Sequence, residues 1–185
     1  AASILALSDE KIARACRAAC RLEVCAEKPG NVTRNRSFND ASFQDFIASA
    51  DAIFPVFREA SRISVGEIVL RAVRETRRLT GTNTNLGIVL LLAPLAKAAG
   101  TGHPDGLRAA VGCVLASLSV DDAVRAYEAI RLASPAGLGK TDRQDVLDSG
   151  KVEATLLESM VLAKDRDTVA REYATNFKTT FEMGY

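Results

Sequence analysis

Three polar stretches carry most of the reactive chemistry in this sequence. They read KPGNVTRNRSFND (28–40), TGTNTNLG (80–87) and SPAGLGKTDRQD (134–145). Each contains glycine, which lets backbone amides approach a ligand closely. The first and third add the cations Lys28, Arg34, Arg36, Lys140 and Arg143. Amide donors and cations together suit a polyphosphate. The same stretches supply the acids Asp40, Asp142 and Asp145. Acids beside an anionic ligand point to a divalent metal, and Mg²⁺ takes one or two carboxylates plus phosphate oxygens. Simpler roles fit some of these residues as well. Asn83 and Asn85 read equally as caps of the next helix, and Asp142 and Asp145 as helix-start acids. AGLGK is not a Walker loop, because it lacks the GxxxxGKS/T spacing and follows a helical pattern instead of a strand.

A fourth acid stands on an element. Ser8, Asp9 and Glu10 mark a helix start. Ile12, Ala15, Cys16, Ala19 and Cys20 then repeat on one face, and continuing that face reaches Glu23. A carboxylate on an apolar face is costly to bury without a partner. Either Glu23 has such a partner or the helix edge lets it reach water.

The elements that must position these residues are helices throughout. Ser42 and Asp45 form a capping-box signature ahead of a stripe of Phe43, Phe46, Ile47, Ala50, Phe54 and Phe57, which Pro55 kinks or ends. Ser64 with Glu67 opens a helix whose face is Ile68, Val69, Ala72 and Leu79, with RETRR (74–78) as its solvated side. Gly81 ends that helix. The next, from Leu86 to about Ala99, is apolar nearly all round and belongs in the middle of a bundle. Further helices fit 104–117, with Pro104 in the first turn, 120–133, 145–163 and 167–182. No stretch shows sustained strand alternation or an internal repeat. The reading is an all-α, single-domain bundle of about eight helices over 1–185, with the polar loops gathered at one end, where bundles build their sites.

Composition narrows the function classes. The chain has 185 residues, 48 % of them hydrophobic and 25 % charged, enough for one sizeable core. A net charge of +1 argues against a nucleic-acid surface as the main function. The four cysteines, Cys16, Cys20, Cys25 and Cys113, read as small hydrophobes in a reducing compartment. Without a CxxC, and with His103 the single histidine, a zinc site is not expected. The opening AASILALSDEKIARA has no basic stretch typical of a leader, and GIVLLLAPLAKAAG is too short to span a bilayer. A cytoplasmic protein with no membrane partner is expected.

The order of the motifs resembles a known family. EVCAEKPGNV (23–32), ASADAIFPVF (48–57), GTNTNLG (81–87), SPAGLG (134–139) with DV (145–146), and DRDTVAREYATNFKTTFEMGY (165–185) are similar to the triphosphoribosyl-dephospho-CoA synthases. The match in order and spacing runs from about residue 20 onward. The E-V-x-x-x-K-P-G-N-V and G-x-N-T-x-x-G elements are specific only in combination. The resemblance implies an all-α fold and transfer of the triphosphoribosyl group of ATP to the 2′-hydroxyl of 3′-dephospho-CoA, with adenine released.

Under that reading Glu23 and Asp40 are the catalytic candidates, one for the sugar and one for the attacking hydroxyl. Lys28, Gly30, Asn31, Arg34, Gly81, Asn83, Thr84, Asn85, Gly139 and Lys140 are the nucleotide-binding candidates. Asp142 and Asp145 are the Mg²⁺ candidates. Two departures accompany the match. The synthases read NTHKG where this chain reads NTNLG, so Asn85 and Leu86 replace a His and a Lys. Near Asp40 they read HKDM where this chain has FNDAS. These features resemble a divergent branch of archaea and methylotrophic bacteria, whose acceptor need not be dephospho-CoA. The family also continues into a further helical region carrying an acid and an Arg-Lys pair, which the sequence ending in EMGY is expected to lack. The competing readings are a nucleotide- or CoA-binding regulatory protein without catalysis and a plain helical scaffold. An oligomer is compatible with all three.

Overall fold

The computed structural model describes residues 6–26, 42–81, 84–133 and 152–184. Among these, 75 % are helical and none forms a strand. Ten helical segments follow one another: α1 (Asp9–Cys25), α2 (Phe43–Ala52), α3 (Phe54–Phe57), α4 (Val65–Thr80), α5 (Leu86–Thr101), α6 (Leu107–Ala116), α7 (Val120–Ala133), α8 (Leu156–Ala163), α9 (Thr168–Ala174) and α10 (Lys178–Met183). The all-α bundle is as expected. The count exceeds eight because two expected helices are each divided in two.

The helix starts follow their caps. Ser42 and Asp45 form the capping box of α2, and the Ser64 hydroxyl accepts from the Glu67 amide to start α4. Gly81 ends α4 in the left-handed conformation, φ 73°, which glycine adopts without a Cβ penalty. Pro55 does not kink α2. The helix stops at Ala52, and the proline sits in the first turn of α3, where its missing N–H is harmless.

α5 is the central helix, packed against α1, α4, α6, α7 and α9. Its interior Pro94 has no N–H to give the Leu90 carbonyl one turn earlier. Tyr173 of α9 supplies the missing donor: its hydroxyl, fully buried, lies 2.7 Å from that carbonyl. α4 and α7 are joined by Asp122, whose carboxylate accepts from the Gly66 amide at 2.7 Å and from the Ser119 amide at 2.9 Å. At Gly66 the helices touch backbone to backbone, and a Cβ there would lie 2.6 Å from Asp122 Cα.

Several expectations need correction. The buried face of α1 is Ile12, Ala13, Cys16, Cys20 and Val24, with Ala15 exposed and Ala19 half-buried. The face is rotated from the predicted one, so Glu23 lies at its edge. Leu79 is 59 % exposed, and Thr76, inside the charged RETRR run, is buried. Phe43, Phe46, Ile47 and Phe54 are only half-buried, while Ala50 and Phe57 enter the core. α6 starts at Leu107 after a turn through Pro104. α8 starts at Leu156, capped by Thr155; of the expected 145–163 helix, residues 152–155 are not helical and 145–151 lie outside the described residues. The predicted 167–182 helix breaks into α9 and α10 where Asn176 and Phe177 both adopt positive φ, 53° and 54°. Cys16 and Cys20 are buried, but Cys25 and Cys113 are exposed. Burial, with the neighbouring thiol or Glu23 adding to it, pushes the Cys16 and Cys20 thiols up to about 12, so neither is a ready nucleophile at neutral pH.

Candidate active site

A cleft of about 420 Å³ opens at the N-terminus of α5, lined by Glu23, Thr84, Asn85, Leu86, Gly87, Ile88 and Leu91. One wall is the last turn of α1, which carries Glu23 half-buried at the margin of its apolar face. The other is the first two turns of α5. A helix N-terminus attracts anions through its backbone N–H groups and its dipole. Asn85 occupies the capping position of α5, but its side chain makes no cap bond. The Asn85 amide nitrogen turns back to donate to Thr76 Oγ1 at 3.0 Å, inside the protein. That bond ties the α4–α5 connection to α4 and fixes where α5 begins.

Thr84 is held from the other side. The Ser49 hydroxyl donates to the Asp45 carbonyl at 2.6 Å and also bonds the Thr84 hydroxyl. A serine has one hydroxyl proton. With that proton directed at the Asp45 carbonyl, it is Thr84 that donates to Ser49. Gly87 matters for a different reason. A Cβ built there meets nothing within 4 Å, so the first turn of α5 is bare toward the cleft.

Of the sequence-derived candidates, the structure brings together Glu23, Thr84 and Asn85. Gly81 is not among the lining residues, and its role here is to end α4. Lys28, Gly30, Asn31, Arg34, Asp40, Asn83, Gly139, Lys140, Asp142 and Asp145 lie outside the described residues. So does the expected meeting of Lys28, Asn83 and Asp142 in one cleft. Ser49, Thr76 and Gly87 were not picked out by sequence reasoning. Gly87 had a signal, being the last residue of the TGTNTNLG stretch. Ser49 and Thr76 had none, since an isolated hydroxyl on a helix carries no pattern. Among the described residues no group of three or more His, Cys, Asp or Glu side chains converges to hold a metal. No helix among them is long and apolar enough to cross a membrane.

The fold and cleft together define a helical protein with a cleft at the head of its central helix, Glu23 on one side and a helix N-terminus on the other. The family described as CitG, ATP:dephospho-CoA triphosphoribosyl transferase, matches residues 9–185, nearly the whole chain, and the chain belongs to that transferase family. No curated protein and no solved structure matches it.

Proposed function

We propose that this chain transfers the triphosphoribosyl group of ATP to a hydroxyl of an acceptor, dephospho-CoA or a related cofactor precursor, and releases adenine. The observation that carries the reading is Glu23 facing the N-terminus of α5 across one cleft, in a member of a transferase family. The glycosidic C1′–N9 bond breaks and its electron pair leaves with adenine, which takes up a proton. The acceptor oxygen bonds to C1′ and gives up its proton. Positive charge builds on the ribose between these events, and a carboxylate beside C1′ stabilises it. Glu23 and Asp40 divide the two tasks, one beside the sugar and one accepting the hydroxyl proton. The start of α5, with Asn83, binds anionic or polar parts of the nucleotide. Thr84 accepts a hydrogen bond from it, and Asn85 positions the turn. Lys28, Gly30, Asn31, Arg34, Gly139 and Lys140 complete the triphosphate contacts. Mg²⁺ fits a site of one or two carboxylates such as Asp142 and Asp145, where it neutralises phosphate charge.

The test is chromatographic detection of adenine after incubation with ATP, Mg²⁺ and dephospho-CoA, with the adduct identified by mass. Adenine equimolar with adduct is expected. Saturable ATP binding without adenine would instead make the chain a nucleotide-binding regulatory protein. Glu23→Gln keeps the shape and removes the charge. Turnover should fall by roughly 10²-fold or more, the scale of a positioned charge or base, with ATP affinity changed only a few-fold. A Glu23→Gln protein with a lower Tm and intact turnover per folded molecule would remove Glu23 from the mechanism and leave Asp40 as the remaining acid.

A further inference from the structure

A second concavity, about 640 Å³, lies between α5, α9 and α10. Its size is that of a small-molecule site. Leu91 of α5 lines both this groove and the cleft of Glu23, so the two adjoin along one side of the central helix. Val169 and Met183 give the groove apolar walls, and Met183, 82 % exposed, is an adaptable contact surface. Arg171 is its cation. The guanidinium Nε donates to the Lys164 carbonyl at 3.1 Å, and no carboxylate among the described residues pairs with it.

The acid of the groove, Glu172, is already engaged. Its oxygens accept from the Thr179 and Thr180 amides at 3.1 and 2.8 Å and from the Thr180 hydroxyl at 2.6 Å. Those bonds occupy the Glu172 oxygens without removing their charge, so what the groove still offers a ligand is the remaining guanidinium N–H donors of Arg171. The groove is also built at some expense to the backbone. Two successive non-glycine residues, Asn176 and Phe177, take left-handed φ, which a bulky side chain rarely adopts. Phe177 is held there by complete burial, its ring 5.7 Å from that of Tyr173. This turn sets α10 back beside α9 and makes the concavity. Strained backbone of this kind clusters at binding sites.

We propose that the groove holds the acceptor. Its extended, partly apolar arm lies against Val169 and Met183, its phosphate faces Arg171, and its hydroxyl reaches past Leu91 into the cleft. The inference rests on the transferase reading above. The test measures Kd for dephospho-CoA and for ATP separately, by calorimetry on the full chain. Arg171→Ala and Met183→Glu alter exposed side chains, and their Tm values report folding. Each should weaken dephospho-CoA by about tenfold, the loss of one charge-assisted contact or of apolar fit, and leave ATP within about twofold.

The proposal is overturned by no saturable binding of dephospho-CoA to the unmodified chain, by both variants binding it unchanged, or by ATP weakening equally. If Met183→Glu instead shifts a monomer–dimer equilibrium while dephospho-CoA binding holds, the groove belongs to a second copy and the proposal falls. Adenine release, followed in the same samples, separates the two ideas. Groove-dependent binding without adenine ends the transferase reading and keeps the groove. Adenine release with a KM for dephospho-CoA insensitive to Arg171→Ala does the reverse.

Discussion

Tyr173→Phe removes a single oxygen, and its effect follows from a proline on another helix. Pro94 deprives the Leu90 carbonyl of its helical donor, and the Tyr173 hydroxyl at 2.7 Å takes that place. The hydroxyl is fully buried, so water cannot substitute when it is lost. A buried carbonyl left without a donor costs about 1–3 kcal/mol. A destabilisation of about 2 kcal/mol should lower Tm by roughly 4–8 °C in a chain of this size. Pro94→Ala restores an N–H one turn after Leu90 and gives the carbonyl its ordinary partner. In that background Tyr173→Phe should cost at least about 1 kcal/mol less, a coupling large enough for a double-mutant cycle. Urea unfolding of the four proteins, with m-values checked for constancy, measures it. If the Tyr173→Phe penalty is the same with and without Pro94, the hydroxyl is not standing in for the missing amide, and the reasoning fails.

Gly87→Ala places a methyl where nothing lies within 4 Å, in the first turn of a helix. It should raise stability by about 0.5–1 kcal/mol through helix propensity while weakening nucleotide binding by calorimetry; unchanged binding would show that ligands do not approach this turn. Gly66→Ala meets Asp122 backbone atoms at 2.6 Å, which cannot swing aside, so the α4–α7 contact must open. A loss of about 1–3 kcal/mol in urea unfolding is expected, and a neutral result would mean these helices separate freely. Burial opposes the charge of Asp122, yet hydrogen bonds from Gly66 and Ser119 outweigh it and hold its pKa below the ordinary 3.8. Its stabilising contribution is therefore full above the unfolded-state value and lost as pH falls toward the lower folded one. Asp122→Asn should be less stable at pH 7 and lose less on acidification through about pH 4–3 than the unmodified chain; parallel acid limbs would sink this assignment.

What could be read from the sequence was what local chemistry decides. The starts at Ser42 and Ser64 and the stop at Gly81 needed only a cap within three residues or a glycine able to adopt positive φ. The all-round apolarity of Leu86–Ala99 was enough to place that helix centrally. The failures share a different cause. Rotating the α1 face turns on whether Ala13 or Ala15 is buried, and two alanines give pattern reasoning nothing to choose between. The break at Asn176–Phe177 carries no glycine or proline, because the conformation is imposed by burying Phe177 and by the Glu172 cap on α10. Ser49 and Thr76 acquire roles only when α2 and α4 meet the α4–α5 connection. Glu23 stood out because an acid next to an apolar face is conspicuous, although the face itself was placed one step off, and the structure puts it in the lining of the cleft.

The NTNLG departure takes on physical meaning in this frame. Asn85 and Leu86 stand where the resembling synthases carry a His and a Lys. In this chain both are buried, each 8 % exposed. Asn85 gives its amide to Thr76, and Leu86 joins the hydrophobic core. A lysine seated as Leu86 is would bring an ammonium into an apolar site, at a cost that only a shifted pKa or a paired acid relieves. These two positions therefore hold the head of α5 in place and supply no cation to a triphosphate. One source of binding energy among the described residues of the cleft is the field of the α5 N-terminus, worth about 0.3–2 kcal/mol toward an anion. That is too small to hold ATP alone. In the transferase reading, Lys28, Arg34 and Lys140 must then carry most of the triphosphate's charge, so Lys28→Ala should weaken ATP far more than any change at Leu86 that preserves the fold.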